Sequence, residues 1–195
     1  MGKLIFTSRG LTSLEGPQII GEELRKDGDL KEKRIFVFQE PYDDWSDIMV
    51  ESCLKIGFLR ENVILSGEQI SDKDVDGADY IYVTEGNTFK VLACLKKRNL
   101  VSTIREAVRR GTTYIGSSAG AMIAGTDIKE AASFDEVPKG TQDFTGLQLF
   151  DGLIIPHYEP EHLEQYIQNS PGIKERYKNF YSVDNDGILV LNSFF

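Results

Sequence analysis

Short apolar runs recur along this chain with room for a helix between them, and that rhythm constrains the fold more than any other feature. They cover residues 3–7, 34–38, 62–66, 80–83, 112–115, 153–155 and 188–191. The first five show little polar alternation, the pattern of strands covered on both faces, and the intervening stretches suit crossover helices. Residues 47–58 carry Ile48, Met49, Cys53, Leu54 and Ile56 at roughly helical spacing, with Ser46 as the candidate cap. Leu100, Ile104 and Val108 form a second stripe that Gly111 closes. A further helix is expected over 159–168, with Pro160 in its first turn and Pro171 beyond its end. The alternation predicts an α/β fold in one domain over 1–195, a doubly wound, mostly parallel sheet sandwiched by helices. In such sheets ligands gather at the carboxyl ends of the strands. Residues 127–146 break the rhythm with charges, Pro138 and Gly140, which predicts a long loop or short hairpin near the same edge.

At one such edge stands Gly116-Ser117-Ser118-Ala119-Gly120. The Gly-x-Ser-x-Gly spacing suits a strand-to-helix elbow, because small neighbours let the backbone turn sharply and present the serine oxygen. The same pentapeptide also suits a flexible loop or a phosphate-binding turn at a helix N-terminus. A serine nucleophile needs a base. His157, after Pro156 at the end of an apolar run, is the better candidate, and His162 lies within the following helical pattern. The imidazole in turn needs an acceptor, and Asp184 and Asp186 flank Asn185 in a cluster that is equally an ordinary turn former. Two backbone amides are required for the developing oxyanion. Ala119 follows the serine, and Gly86 lies in the turn Thr84-Glu-Gly-Asn-Thr-Phe89, where Asn87 or Thr88 is placed to cap a helix.

Lys and Arg number 22 against 31 Asp and Glu, a formal net charge of −9. No nucleic-acid partner is expected, since that binding rests on clustered positive charge. Cys53 and Cys94 fall in separate apolar helical patterns, with neither a disulfide framework nor metal-ligand spacing, and no metal or organic cofactor is indicated. The first apolar run is too short for a secretory signal, and Phe6 stands where a myristoylation signal has Ser or Thr. No stretch reaches transmembrane length, so no membrane partner and a cytoplasmic location are expected. A homodimer is left open.

Glu85-Gly-Asn-Thr-Phe89, Gly116-Ser-Ser-Ala-Gly-Ala121 and Pro156-His-Tyr158, in that order, resemble the peptidase E family of serine peptidases, which includes aspartyl dipeptidases and the related cyanophycinases. The resemblance implies a flavodoxin-like sandwich similar to class I glutamine amidotransferases, with serine replacing their cysteine at the elbow. It makes Ser118 the nucleophile, His157 the general base, and Gly86 and Ala119 the oxyanion amides. Asp184 is the better match for the acid, with Asp186 in reserve. Glu85, Asn87 and Tyr158 are expected at the pocket for a small peptide substrate.

The chain departs from the family at two places. Thr84 and Glu85 replace the usual glycine run, which puts a carboxylate beside the oxyanion amides, where it would constrict the pocket or repel acidic substrates. Tyr158-Glu-Pro-Glu-His-Leu-Glu164 offers no arginine for a substrate carboxylate, so N-terminal-aspartate specificity is not expected. Two rival readings follow. A catalytically silent relative would bind a peptide or metabolite in the same pocket, and an α/β-hydrolase esterase would place its acid between serine and histidine, at Asp135. Glutamine amidotransfer is disfavoured by serine at the elbow.

Overall fold

The computed structural model describes residues 2–39, 45–66 and 72–192. In chain order the elements are β1 (Lys3–Thr7), α1 (Gly16–Leu24), β2 (Ile35–Phe38), α2 (Ser46–Ile56), β3 (Val63–Leu65), α3 (Asp72–Asp76), β4 (Tyr80–Val83) and α4 (Thr88–Lys97). There follow α5 (Leu100–Arg110), β5 (Thr113–Ser117), α6 (Ala119–Ile123), β6 (Leu153–Pro156), α7 (Pro160–Asn169), α8 (Ile173–Arg176), β7 (Phe180–Val183) and β8 (Ile188–Asn192). The main sheet runs β3-β2-β4-β5-β1-β8. Its strands pair in parallel except β8, which lies antiparallel on β1.

Side chains on successive strand residues point to opposite faces, and both faces of this sheet are apolar. Leu4 and Phe6, Phe36 and Phe38, and Ile81 and Val83 pack with α3, α4, α5 and α6. Their neighbours Ile5, Ile35, Val37, Tyr80 and Tyr82 pack with α1 and α2. That two-sided burial is why the strand runs lack polar alternation. The fold is the doubly wound α/β class that the alternating pattern implies.

Two local expectations change, and the loop expected at 127–146 takes a defined form. The run at 153–155 does not join the main sheet; β6 pairs in parallel with β7 as a separate two-stranded sheet. β7 carries a weak sequence signal because only Val183 of its four residues is buried. Ser46 is the first helical residue of α2 and makes no cap; its hydroxyl accepts from Gln39 Nε2 at 2.8 Å. Residues 127–146 form a 3₁₀ turn over Lys129–Ser133, an isolated bridge between Asp127 and Thr145, and otherwise irregular chain.

The first turn of α6 is seated on the ends of β4 and β5 with no side chain between. A Cβ on Gly120 would come within 2.2 Å of the Val83 carbonyl oxygen, and one on Gly116 within 2.5 Å of the Gly120 carbonyl oxygen. Those contacts explain both glycines of the elbow pattern. Gly120→Ala is expected to destabilise the fold by about 1–3 kcal/mol through backbone overpacking, measured by urea denaturation against wild type.

Candidate active site

Ser118 connects β5 to α6 with φ 48° and ψ −107°, a conformation L residues rarely adopt. Such strain is worth on the order of 1–3 kcal/mol and persists only where the surroundings fix it. Its N–H donates to the Thr7 carbonyl at the end of β1 at 2.9 Å, and its carbonyl accepts from Ala121 and Met122 at 2.9 and 3.1 Å. Below it, the buried Tyr114 hydroxyl donates to the Gly120 carbonyl at 2.7 Å. Burial pushes that phenol well above its ordinary pKa, so it remains a donor.

His157 follows β6, also in the left-handed region at φ 64°. Its N–H donates to Ser8 Oγ at 2.8 Å, while Ser8 Oγ donates to the Val183 carbonyl of β7 at 2.5 Å. The buried Ser8 hydroxyl thus ties the small sheet to the residue that follows β1. His157 Nε2 comes within 3.0 Å of Ser118 Oγ, and Nδ1 lies 2.7 Å from Asn185 Oδ1. With Nδ1 protonated and donating to that carbonyl oxygen, Nε2 carries the lone pair that faces the serine.

The carboxylates expected at Nδ1 are elsewhere. Asp184 Oδ1 accepts from the Asp186 N–H at 3.0 Å, closing a local turn. Asp186 pairs with Arg9 at 3.1 Å. Asp135 Oδ2 accepts from the Thr88 N–H at 2.9 Å and the Thr88 hydroxyl at 2.6 Å, at the start of α4. Asn185 stood inside the cluster the sequence singled out, and a search confined to carboxylates passes over it although a carboxamide oxygen accepts the same hydrogen bond. Ser8 has no local signal, because its partners lie 149 and 175 residues away.

Gly86 and Ala119 lie at neighbouring strand ends, Val83 of β4 being in register with Gly116 of β5. Gly86 turns the chain into α4 with φ 134°. Ala119 opens α6, where the first N–H groups have no intrahelical acceptor. Asn87 Oδ1 caps α4, accepting from the Phe89 and Lys90 amides at 3.1 Å each, and its Nδ2 donates to the Glu136 carbonyl at 2.9 Å. Both ends of Asn87 are therefore committed to structure rather than to a pocket.

The Glu85 carboxylate is drawn back toward the segment after β1, accepting from the Thr12 hydroxyl and, at 3.1 Å, from the Tyr82 hydroxyl. Gly10 makes the room; a Cβ there would overlap Glu85 Oε2. Burial first, and the Glu85 charge second, hold the Tyr82 phenol well above its usual pKa, so it stays a donor. Tyr158 stands beside His157 on a cavity of about 430 Å³. Among the described residues no group of three or more His, Cys, Asp or Glu side chains is placed to hold a metal ion. No helix among them is long and apolar enough to cross a membrane.

The sequence profile of Peptidase family S51 matches residues 49–193. The chain belongs to this family. An uncharacterised peptidase of Pasteurella multocida is 40% identical over 93 residues, 46% of this chain and 44% of that protein. A peptidase E of Haemophilus influenzae is 36% identical over 116 residues, 59% of this chain and 51% of the relative. The chain spans about half the length of the curated relatives it matches. A solved structure from Listeria monocytogenes, provisionally assigned as a peptidase E, shares the fold with a TM-score of 0.72 over 100% of both chains at 21% identity. The S51 match takes in Gly86, Ser118, His157 and Asn185, whereas Thr7 and Ser8 precede it.

Ser8→Ala leaves the His157 amide and the Val183 carbonyl without that hydroxyl in a buried site. It is expected to destabilise the chain by about 1–3 kcal/mol, measured by urea denaturation.

Proposed function

We propose that this S51 chain is a serine peptidase that hydrolyses small peptides, dipeptides among them, through an acyl-enzyme on Ser118. The observation that carries the reading is the hydrogen-bonded chain Ser118 Oγ, His157 Nε2, His157 Nδ1, Asn185 Oδ1 at a strained strand-to-helix elbow. Ser118 Oγ attacks the scissile carbonyl carbon while its proton passes to His157 Nε2. The carbonyl oxygen becomes an oxyanion, for which the Gly86 and Ala119 amides are the donors. Collapse of the tetrahedral species breaks the C–N bond, and His157 gives its proton to the departing amine. Water, deprotonated by His157, attacks the ester and releases the acid.

Asn185 fixes the imidazole tautomer and orientation but brings no charge to offset the imidazolium. That neutrality also favours a second reading, a silent pocket that binds a peptide or metabolite without turnover. A cytoplasmic location belongs with the first reading, in keeping with Cys53 and Cys94, which form no disulfide.

Incubation with a fluorophosphonate and intact-mass analysis is expected to show one adduct on wild type and none on Ser118→Ala, with dipeptide hydrolysis lost in parallel. Undiminished turnover by Ser118→Ala overturns the mechanism, and ligand binding without an adduct on wild type supports the silent pocket. Asn185→Asp places a negative charge at Nδ1 to offset the imidazolium formed during attack, so kcat/KM for dipeptide hydrolysis is expected to rise, measured by steady-state kinetics against wild type.

A further inference from the structure

The cavity beside His157 is walled largely by one face of α7. His162, Gln165, Tyr166 and Asn169 line it, at spacings of three and four residues that bring side chains to one helix face, and Tyr158 closes it next to the base. Its volume, about 430 Å³, lies in the range of small-ligand sites, roughly 300–1,000 Å³.

The aromatic part of this wall is held in place. Tyr166 donates its hydroxyl to Glu130 Oε2 at 2.6 Å, and the same carboxylate is paired with the Arg176 guanidinium. The Tyr166 ring stacks on Phe134 at 6.0 Å and 26° between planes, and Tyr158 meets Phe134, His162 and Tyr166 edge-on at 5.8, 6.4 and 5.9 Å. Phe134 is 44% exposed at the edge of this cluster. Gln165 and Asn169 add two carboxamides, each with donors and an acceptor.

No Lys or Arg is among the described residues that line the cavity, and α7 carries none in its sequence. Arg176, which shares the Glu130 carboxylate with Tyr166, is engaged by that carboxylate. α7 does carry Glu161 and Glu164. A carboxylate entering here would lose water and gain no Lys or Arg partner. An aromatic ring finds edges and faces of tyrosine, and a carboxamide finds carboxamides.

The cavity's position assigns its place in the reaction. His157 borders it, while Ser118 and the Gly86 turn do not. In a serine peptidase the base delivers its proton to the departing amine, so a cavity that the base borders is placed to receive the amine-side product. We propose that the cavity is the subsite for the side chain of the residue released with the leaving amine, and that it takes an uncharged planar side chain, aromatic or carboxamide, in preference to a carboxylate. The inference rests on the peptidase reading above and deepens it by naming a substrate class.

The test is steady-state kinetics on a dipeptide matrix in which each first residue is followed by Phe, Asn or Asp, run with fluorophosphonate labelling of the same preparation. For a given first residue, kcat/KM with second-position Phe or Asn is expected to exceed that with Asp by about tenfold or more. Gln165→Arg, an exposed change on the cavity face, is expected to narrow that ratio about tenfold by supplying a cation, and Asn169→Arg serves as a second variant should the first fold poorly. Labelling of Ser118 and cleavage with a flat ratio, or with a ratio unmoved by both arginine variants, overturns the subsite alone, whereas labelling without cleavage overturns the dipeptidase reading as well. Absence of both labelling and cleavage overturns the peptidase reading and the subsite with it.

Discussion

Backbone lies directly against backbone where α6 meets the ends of β4 and β5, and the site depends on that contact. Gly120 places its Cα where a methyl group would strike the Val83 carbonyl, and Gly116 does the same beneath the Gly120 carbonyl. With the helix pressed this close to the sheet, the single residue that joins β5 to α6 cannot relax into an ordinary conformation. Ser118 is that residue. Its amide is held by Thr7 of β1 and its carbonyl by the first turn of α6, so the strain is fixed by two elements and the hydroxyl is left facing His157. The Gly86 turn sits at the end of the same β4 strand, which places a second backbone amide in the neighbourhood of the elbow.

The base is delivered by a different device. β6 and β7 form their own small sheet, apart from the main one, and His157 leaves β6 in a left-handed conformation. Ser8 bridges the two sheets by accepting from the His157 amide and donating to the Val183 carbonyl. A short polar residue just beyond β1 thus sets the height of the imidazole over the serine. At the other ring nitrogen a neutral carboxamide fixes direction without adding charge, while Asp184 and Asp186 are occupied by their turn and by Arg9. The formal charge of −9 therefore supplies no carboxylate to Nδ1.

The sheet was legible because burial on both faces removes polar alternation, and the strands at 3–7 and 80–83 coincide with their apolar runs. The elbow was legible because close approach demands glycine at two fixed offsets from the serine. β7 was not, since three of its four residues are only half-buried and periodicity follows burial. Ser8 and Asn185 were hidden for another reason: their roles are set by partners far along the chain, and a hydrogen-bond acceptor can be carboxamide as readily as carboxylate. Glu85 was legible as a charge beside Gly86, but its partners were not: its carboxylate accepts from the Thr12 and Tyr82 hydroxyls in room that Gly10 leaves.

In the proposed mechanism the strained elbow, the base and the two backbone turns act on one carbonyl group. A crystal structure of the protein soaked with a peptide aldehyde would test this. A covalent bond from Ser118 Oγ to the aldehyde carbon is expected, with the resulting oxygen within hydrogen-bond distance of the Gly86 and Ala119 amides and His157 still bonded to Asn185. An aldehyde that binds without bonding to Ser118, or whose oxygen turns away from both amides, would contradict it.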